Sequence, residues 1–182
     1  MENDQLKRDH QVVIPENPVS FFLFNDTRSA WIWLIIRLYL GYTWITSGWG
    51  KLNEDVWTGD QAGTALSGFL QGAVGRVETG EVAGWYGAFL ENVILPNAEV
   101  FSYMVAYGEL LVGLGLILGL LTGLAAFFGS IMNASFMFAG TLSSNPLLFI
   151  LATWLVLAWK VAGWYGLDRW ALPKLGTPWG RK

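Results

Sequence analysis

The apolar positions along the chain form long uninterrupted stretches instead of short alternating runs. One stretch runs from Trp31 to Trp49, a second holds the 43 residues from Ala98 to Gly140, and a third follows Pro146. A membrane-spanning helix needs ~20 predominantly apolar residues. The first stretch therefore predicts one span, the second predicts two spans joined by a tight turn, and the third predicts a fourth. The pattern as a whole predicts an all-α protein, an integral membrane bundle of four antiparallel transmembrane helices.

Polar and turn-forming residues mark where these spans begin and end. Lys51 bounds the first span, and Asn97 is a plausible cap for the second. The second and third spans are expected to turn at Leu121–Gly123. Asn145 and Pro146 suit the cap and the first position of the fourth helix, which is expected to run to about Val161.

The connection between the first two spans, residues 53–97, is neither a span nor a featureless loop. Apolar residues recur in it at helical spacing around Phe69 and around Phe89. The spacing predicts short amphipathic helices that lie flat on the outer membrane surface and cover the mouth of the bundle. Ordinary packing of a loop onto the bundle is the alternative.

The composition agrees with a membrane protein. Of 182 residues, 53% are hydrophobic and 14% are charged, whereas a soluble domain carries about 25% charged residues. We expect one domain over 1–182, with a cytoplasmic or interfacial segment 1–30, a core 31–162 that includes the outer cap 53–97, and a cytoplasmic tail 163–182. The net charge of −3 is small and predicts no nucleic-acid partner.

The basic residues predict how the chain is oriented. Eight lie in the segments before the first span and after the fourth, and only Lys51 and Arg76 lie in the long connection. Cytoplasmic segments carry the excess of Lys and Arg, so both termini are expected in the cytoplasm and residues 53–97 outside. No apolar core follows the start, so a cleavable signal is not expected. The predicted location is the cytoplasmic membrane of a prokaryotic cell.

The residues that hold redox cofactors are nearly missing from the sequence. There is no cysteine, and His10 is the only histidine. This excludes disulfides, iron–sulfur clusters, covalently attached haem, paired-histidine haem ligation and a histidine metal site within the membrane. If electrons pass through the protein, a diffusible or partner-borne carrier must take them.

Two opposite charges interrupt the apolar stretches, Arg37 in the first and Glu109 in the second. A charge at that depth is costly and normally faces the protein interior, where it finds a partner. We therefore predict that Arg37 and Glu109 form an ion pair inside the bundle. Asn133 is expected to hydrogen-bond this pair, and hydroxyl groups are expected nearby from Tyr39, Tyr42 and Tyr107.

This cluster has a structural and a functional interpretation. The polar groups could simply fix the register of the helices. Alternatively, they line a pocket for a quinone head group, with Glu109 handling protons and Arg37 stabilising charge. Lys51 is either an interfacial lysine that extends toward water or, with Arg76, an attractor for an anionic substrate at the outer mouth.

Several short motifs, taken in order, resemble those of the DoxX/DoxD family of four-helix membrane proteins. They are Arg37 with Gly41, Ser47–Gly48 with Lys51, Gly108–Glu109–Leu110, the run GLGLILGLLTG, Asn133, and the GLDR run of residues 166–169. The resemblance covers roughly residues 30–170. It implies a membrane subunit of respiratory sulfur chemistry, similar to the large subunit of thiosulfate:quinone oxidoreductase, which works with a DoxA partner.

Three function classes are therefore expected in order. The first is a redox subunit with quinone as diffusible acceptor at Arg37, Glu109 and Asn133, thiosulfate near Lys51, and a DoxA-like or other redox partner. The second is a non-catalytic structural or assembly subunit of a membrane complex. The third is a small-solute transporter, which is less expected because the sequence lacks obvious inverted repeats. The sequence leaves a homo-oligomer open.

Overall fold

The structure is a computed structural model that describes residues 15–176. This part of the chain is helical and contains no β-strand, so the predicted all-α class is confirmed. In chain order the α-helices are α1 (Pro18–Asn25), α2 (Ala30–Leu52), α3 (Asp55–Thr58), α4 (Thr64–Gly75), α5 (Gly84–Phe89), α6 (Ala98–Leu118), α7 (Thr122–Phe138), α8 (Asn145–Leu157), α9 (Trp159–Ala162) and α10 (Asp168–Lys174).

The short helix α1 is tied to the start of α2. The Asn17 side chain caps α1 by accepting a hydrogen bond from the Val19 N–H. The Leu23 carbonyl accepts the indole N–H of Trp33 at 2.7 Å, and the Phe24 ring stacks on the same indole. Beside this contact, Arg28 hydrogen-bonds the Asp26 carboxylate and lowers its pKa. The polar N-terminal segment is thus joined to the helical core through one buried tryptophan.

The most extensive helix contact joins α2 to α6, and glycines set its register. A Cβ on Gly41 would lie 2.9 Å from Ile117, one on Gly113 would lie 2.5 Å from Ile45, and one on Gly48 would lie 2.6 Å from the Leu110 nitrogen. As the residue number along α2 increases, the number of the residue that it contacts on α6 therefore decreases. Small residues let two helix backbones approach closely, as in membrane helix pairs.

The core has two buried apolar clusters. One joins α2, α6 and α8 through side chains that include Trp33, Leu40, Leu116 and Leu155. The other holds α4 and α5 against the end of α7, and it includes Leu66, Leu70, Ala73, Tyr86, Leu90 and Ala139. The second cluster shows that the segment between α2 and α6 is packed onto the bundle as a compact cap.

The predicted cap helices are only partly correct. The first corresponds to α4, but the second is not a separate helix lying on the surface. It continues from α5 through a π turn (Leu90–Ile94) and a 3-10 turn (Leu95–Asn97) into α6. Pro96 does not end this run, because it lies at the start of the 3-10 turn, directly after the π turn, where the regular α-helical hydrogen-bond pattern is already interrupted.

The continuous run Gly84–Leu118 is the one helix in residues 15–176 that is long and apolar enough to cross a membrane by length and composition. The helices α7 and α8 are apolar but shorter. Large apolar side chains are exposed along α2, α6, α7 and α8, including Ile35, Leu111, Phe128 and Ile150. Such surfaces suit lipid contact. Four spans remain a prediction.

The turn between α6 and α7 lies two residues earlier than predicted, at Gly119–Leu121. Gly119 ends α6 with φ 61°, in the left-handed region that glycine adopts freely. Leu121 also has a positive φ, 49°, which is unusual for a residue with a side chain. Contacts from the C-terminal segment, described below, stabilise this backbone conformation.

Candidate functional site

A cavity of about 300 Å³ lies between the end of α2, the middle of α6 and α7, and the start of α8. The cap closes one side of it with Trp57, Leu66 and Phe69. We call it the Lys–Glu cavity, because Lys51 and Glu109 line it. The other polar side chains in its wall are those of Thr43, Trp44, Ser47, Asn133, Thr141, Ser144 and Asn145. The cavity therefore combines an apolar wall on the cap side with polar groups from α2, α6, α7 and the loop before α8, a combination found in small-molecule sites.

Lys51 and Glu109 form an ion pair in this cavity. The Lys51 ammonium donates to Glu109 Oε2 at 2.7 Å and to the Ser47 hydroxyl at 2.8 Å. The Glu109 side chain is 2% exposed and that of Lys51 is 17% exposed. Ser47 and Lys51 are one helical turn apart on α2, so their side chains lie on the same face of that helix. The pairing compensates the cost of burying each charge.

Two buried donors of the cavity wall have no hydrogen-bond partner among the described residues. They are the side-chain amide of Asn133, which is fully buried, and the indole N–H of Trp44. The Trp44 ring fits against α7 because residue 129 is glycine, where a Cβ would lie 3.3 Å from the indole nitrogen. Nearly all buried polar groups in proteins are hydrogen-bonded. Two such groups in one cavity wall leave hydrogen-bonding capacity for a bound water or a polar ligand.

The predicted ion pair between Arg37 and Glu109 is wrong. Arg37 is buried, but its guanidinium donates to the carbonyls of Ala162 at 3.3 Å and Tyr165 at 2.9 Å. The register of α2 and α6 explains this, because Arg37 lies at the level of the Gly119 turn. Glu109 lies ten residues before Gly119, or ~15 Å along the helix. An arginine side chain cannot bridge that distance.

Arg37 belongs instead to a second polar cluster, which we call the tail clasp: Arg37, Gly119, Gly166 and Asp168. The Asp168 carboxylate accepts the backbone N–H groups of Leu121 at 2.6 Å and Thr122 at 2.9 Å. Asp168 is fully buried and supplies the negative charge opposite Arg37. The clasp therefore holds the positive-φ turn and satisfies N–H groups at the start of α7, where a carboxylate is favoured.

Close backbone contacts complete the clasp. The Asp168 N–H donates to the Gly119 carbonyl at 2.7 Å. A Cβ on Gly166 would lie 2.7 Å from Gly119 Cα and 2.6 Å from the Arg37 guanidinium. Sequence reasoning noticed the GLDR run but assigned no role to Asp168. An acidic residue after the last apolar stretch, two positions after a glycine, was the available signal.

The three predicted tyrosines and Arg76 lie away from the Lys–Glu cavity. Tyr39, Tyr42 and Tyr107 are 47%, 67% and 52% exposed and do not line it. Arg76 caps the end of α7 by donating to the Ala139 carbonyl at 2.7 Å. Asn133 lines the cavity but makes no hydrogen bond to Glu109 or Lys51. The structure therefore brings together Lys51, Glu109 and Asn133, and it separates Arg37, Arg76 and the tyrosines from them.

Comparison with known proteins identifies the family. No curated protein and no solved structure matches the chain. The sequence model of the DoxX family matches residues 32–142, which is more than half of the chain. The matched segment contains Arg37, Lys51, Glu109 and Asn133. The chain therefore belongs to the DoxX family and is a membrane protein of that family.

Proposed function

We propose that this protein is the quinone-binding membrane subunit of a respiratory oxidoreductase, with the quinone head group in the Lys–Glu cavity. The observation that carries the proposal is a cavity of about 300 Å³ whose wall holds a buried Lys51–Glu109 pair and the unpartnered amide of Asn133. This volume is at the small end of ligand pockets. It suits a single ring better than a large cofactor.

The polar groups of the cavity match the needs of a quinone. A quinone head group carries two carbonyl oxygens and no charge, so it needs hydrogen-bond donors. The Asn133 amide and the Trp44 indole N–H supply donors without other partners among the described residues. Lys51 has three N–H donors, of which two are used by Glu109 and Ser47. Because Lys51 and Glu109 neutralise each other, the cavity favours a neutral ligand.

The ion pair also provides a route for protons. Reducing a quinone to a quinol consumes two electrons and two protons. In the proposal the Glu109 carboxylate takes up protons and passes them to the quinone oxygen, and the Lys51 ammonium stabilises negative charge that develops there. This assigns to Lys51 the electrostatic role that the sequence analysis gave to Arg37.

The proposed electron donor is thiosulfate, which follows from the family resemblance. Two thiosulfate ions joined through sulfur give tetrathionate and release the two electrons that the quinone takes up. The dianion is a poor fit to the Lys–Glu cavity, because Glu109 already neutralises Lys51. We therefore place thiosulfate oxidation outside this cavity, at the outer mouth or on a DoxA-like partner subunit.

The arrangement in the membrane is part of the same proposal. We propose four antiparallel spans, built on α2, α6, α7 and α8, with both termini in the cytoplasm and the cap outside. The glycine contacts between α2 and α6 support opposite directions for these two helices. The basic residues support the orientation.

Two other functions are less well supported. In a purely structural subunit the Lys51–Glu109 pair needs no ligand. The buried amide that lines the cavity would then lack a hydrogen-bond partner among the described residues. In a transporter the polar groups would form a continuous path. Here the buried apolar residues Leu40, Val112 and Leu116 lie on α2 and α6 between the Lys–Glu cavity and the tail clasp.

Replacing Asn133 by leucine tests the proposal. Asn133→Leu keeps a similar size but removes the donor, so binding of a quinone should weaken by roughly tenfold, the value of one hydrogen bond. The folded protein should melt at the same or a higher temperature, because an unpartnered buried amide is lost. Equilibrium dialysis of the detergent-purified protein with a quinone that lacks a side chain measures the binding.

The control for this test is Asn92→Leu, because Asn92 is exposed and lies outside the cavity. Equal affinity of the wild-type protein and Asn133→Leu would contradict the proposal. In membranes, Glu109→Gln should lower quinone-linked turnover far more than the yield of folded protein, since an amide cannot exchange the proton. Unchanged activity per folded molecule would support the structural alternative.

A further inference from the structure

We propose that the quinone carries a long apolar tail and enters the Lys–Glu cavity sideways from the lipid, between the cap and helices α6 and α7. This inference rests on the proposed function and specifies its substrate class and its route. It is carried by two further cavities: one shares wall residues with the Lys–Glu cavity, and the other shares wall residues with the second and lies on the outer surface of the helices.

The second cavity, which we call the apolar chamber, has a volume of about 240 Å³. It lies between α4, the α5–α6 run and α7. It shares Leu66, Phe69 and Phe136 with the Lys–Glu cavity, so the two adjoin along these side chains. The Phe69 and Phe136 rings meet edge to face, with centroids 6.2 Å apart. Side chains that include this pair of rings therefore lie between the two cavities.

A third cavity leads from the chamber to the outside. This groove of about 660 Å³ runs along α6 and α7, and it shares Phe101, Val105, Met132 and Ser135 with the chamber. Its rim includes Leu111, which is 65% exposed. The Lys–Glu cavity, the chamber and the groove thus form a series in which each shares wall residues with the next, from the ion pair to the surface that lipid would cover.

The chemistry of the chamber favours an apolar occupant. Its two hydroxyl groups have used their donors, because Tyr86 donates to the Ser135 carbonyl and Ser135 donates to the Ile131 carbonyl, both at 2.9 Å. The other side chains of its wall are apolar. A hydrocarbon chain therefore suits the chamber better than a polar group does. The contrast with the Lys–Glu cavity, which has unpartnered donors, predicts one ligand with a polar ring and an apolar tail.

Filling the chamber tests this route. Ser135→Phe and Val105→Phe, on two different helices, each place a phenyl ring where the chamber meets the groove. Two probes are compared by equilibrium dialysis in lipid nanodiscs: decylubiquinone, and the same ring without a side chain. Both variants should bind decylubiquinone at least roughly tenfold more weakly, because the introduced phenyl ring and the decyl tail would overlap. The ring without a side chain should bind within about twofold of the wild-type protein.

The matched control is Thr153→Phe. Thr153 is a half-buried hydroxyl residue on α8 that bonds the carbonyl one turn earlier, as Ser135 does, but it lines none of these three cavities. It should not discriminate between the two probes. If either folded variant binds decylubiquinone as the wild-type protein does, the lateral route is wrong.

Two other outcomes separate this inference from the proposed function. Failure of the wild-type protein to bind the ring without a side chain would overturn the proposed function and this route with it. Strong binding of that ring, together with equal effects of the filling variants on both probes, would overturn the route alone. Phospholipid that stays bound after saturation with decylubiquinone, measured by native mass spectrometry, would assign the groove to lipid and also overturn the route.

Discussion

At the scale of single residues, we expect the strongest energetic coupling between Lys51 and Glu109. Glu109 is buried, Lys51 is 17% exposed, and each is the other's charge partner. Lys51→Met should destabilise the protein by about 2–4 kcal/mol, because Glu109 is left as a buried charge without its cation. Glu109→Gln should cost less, because the partly exposed Lys51 ammonium can extend toward water. Thermal unfolding in detergent measures both.

The double variant tests whether the two effects have one cause. Combining Lys51→Met with Glu109→Gln should cost about 1–3 kcal/mol less than the sum of the single effects, because no unpaired charge remains. Lys160→Met is the control, since Lys160 is exposed and its ammonium forms a surface hydrogen bond with Asn25, so this change should be nearly neutral. Strict additivity of the single effects would show that the pair is not coupled.

At the scale of elements, the spacing of α2 and α6 depends on Gly113. A Cβ there would lie 2.5 Å from Ile45 Cγ1 and 2.9 Å from the Gly41 carbonyl oxygen. Backbone atoms cannot move aside cheaply, so Gly113→Ala should push the helices apart and lower stability by about 1–3 kcal/mol. Because the same contact sets the level of Glu109, the Lys51–Glu109 pair should loosen as well. A melting curve measures the stability.

Gly68→Ala is the matched control for this prediction. Gly68 lies within α4, and no atom lies within 4 Å of a Cβ placed on it. Alanine is favoured over glycine in a helix by roughly 0.5–1 kcal/mol, so this variant should melt at the same or a higher temperature. A similar destabilisation by both substitutions would show that the α2–α6 contact is not the cause.

Sequence reasoning located the helices but not their register. The long apolar stretches and polar boundaries such as Lys51 predicted α2, α6, α7 and α8 closely, because burial of apolar surface acts over whole helices. The choice between Arg37 and Lys51 as partner of Glu109 depended on which positions of two helices face each other. Close contacts at Gly41 and Gly113 set this register. Hydropathy and charge patterns do not predict such contacts.

The function of Asp168 illustrates a second limit. Its partners are the backbone N–H groups of Leu121 and Thr122, more than 40 residues away in the sequence. Nearly every residue has the same backbone N–H group, so the residue types at the turn do not indicate that a carboxylate binds there. The orphan amide of Asn133 was likewise invisible, because an asparagine in an apolar stretch normally finds a partner.

For the whole molecule, the proposed orientation can be tested with single cysteines, because the sequence has none. Thr79 in the cap and Lys174 in α10 are both exposed. A membrane-impermeant thiol reagent should label Thr79→Cys in intact cells and should label Lys174→Cys only after the membrane is opened, as the basic residues predict. Thr177, an alternative position for the second probe, lies outside the described residues.

The opposite labelling pattern would invert the molecule. It would place the cap and the Lys51 end of the Lys–Glu cavity on the cytoplasmic side. Labelling of both cysteines in intact cells would contradict a topology in which the cap and the C-terminal segment lie on opposite sides. A cysteine-free wild-type chain serves as the unlabelled control.

The tail clasp has a consequence for how the protein is made. Arg37 lies in the first long helix, but its acceptors Ala162 and Tyr165 are synthesised 125 and 128 residues later. While the ribosome adds the residues between them, the guanidinium has no acceptor at its final position, and the turn at Leu121 lacks the carboxylate that holds it. Domains usually fold from the N-terminus onward during synthesis. In this molecule the residues after α8 supply the acceptors of Arg37 in the first long helix, so a chain truncated before Ala162 leaves that buried charge without them.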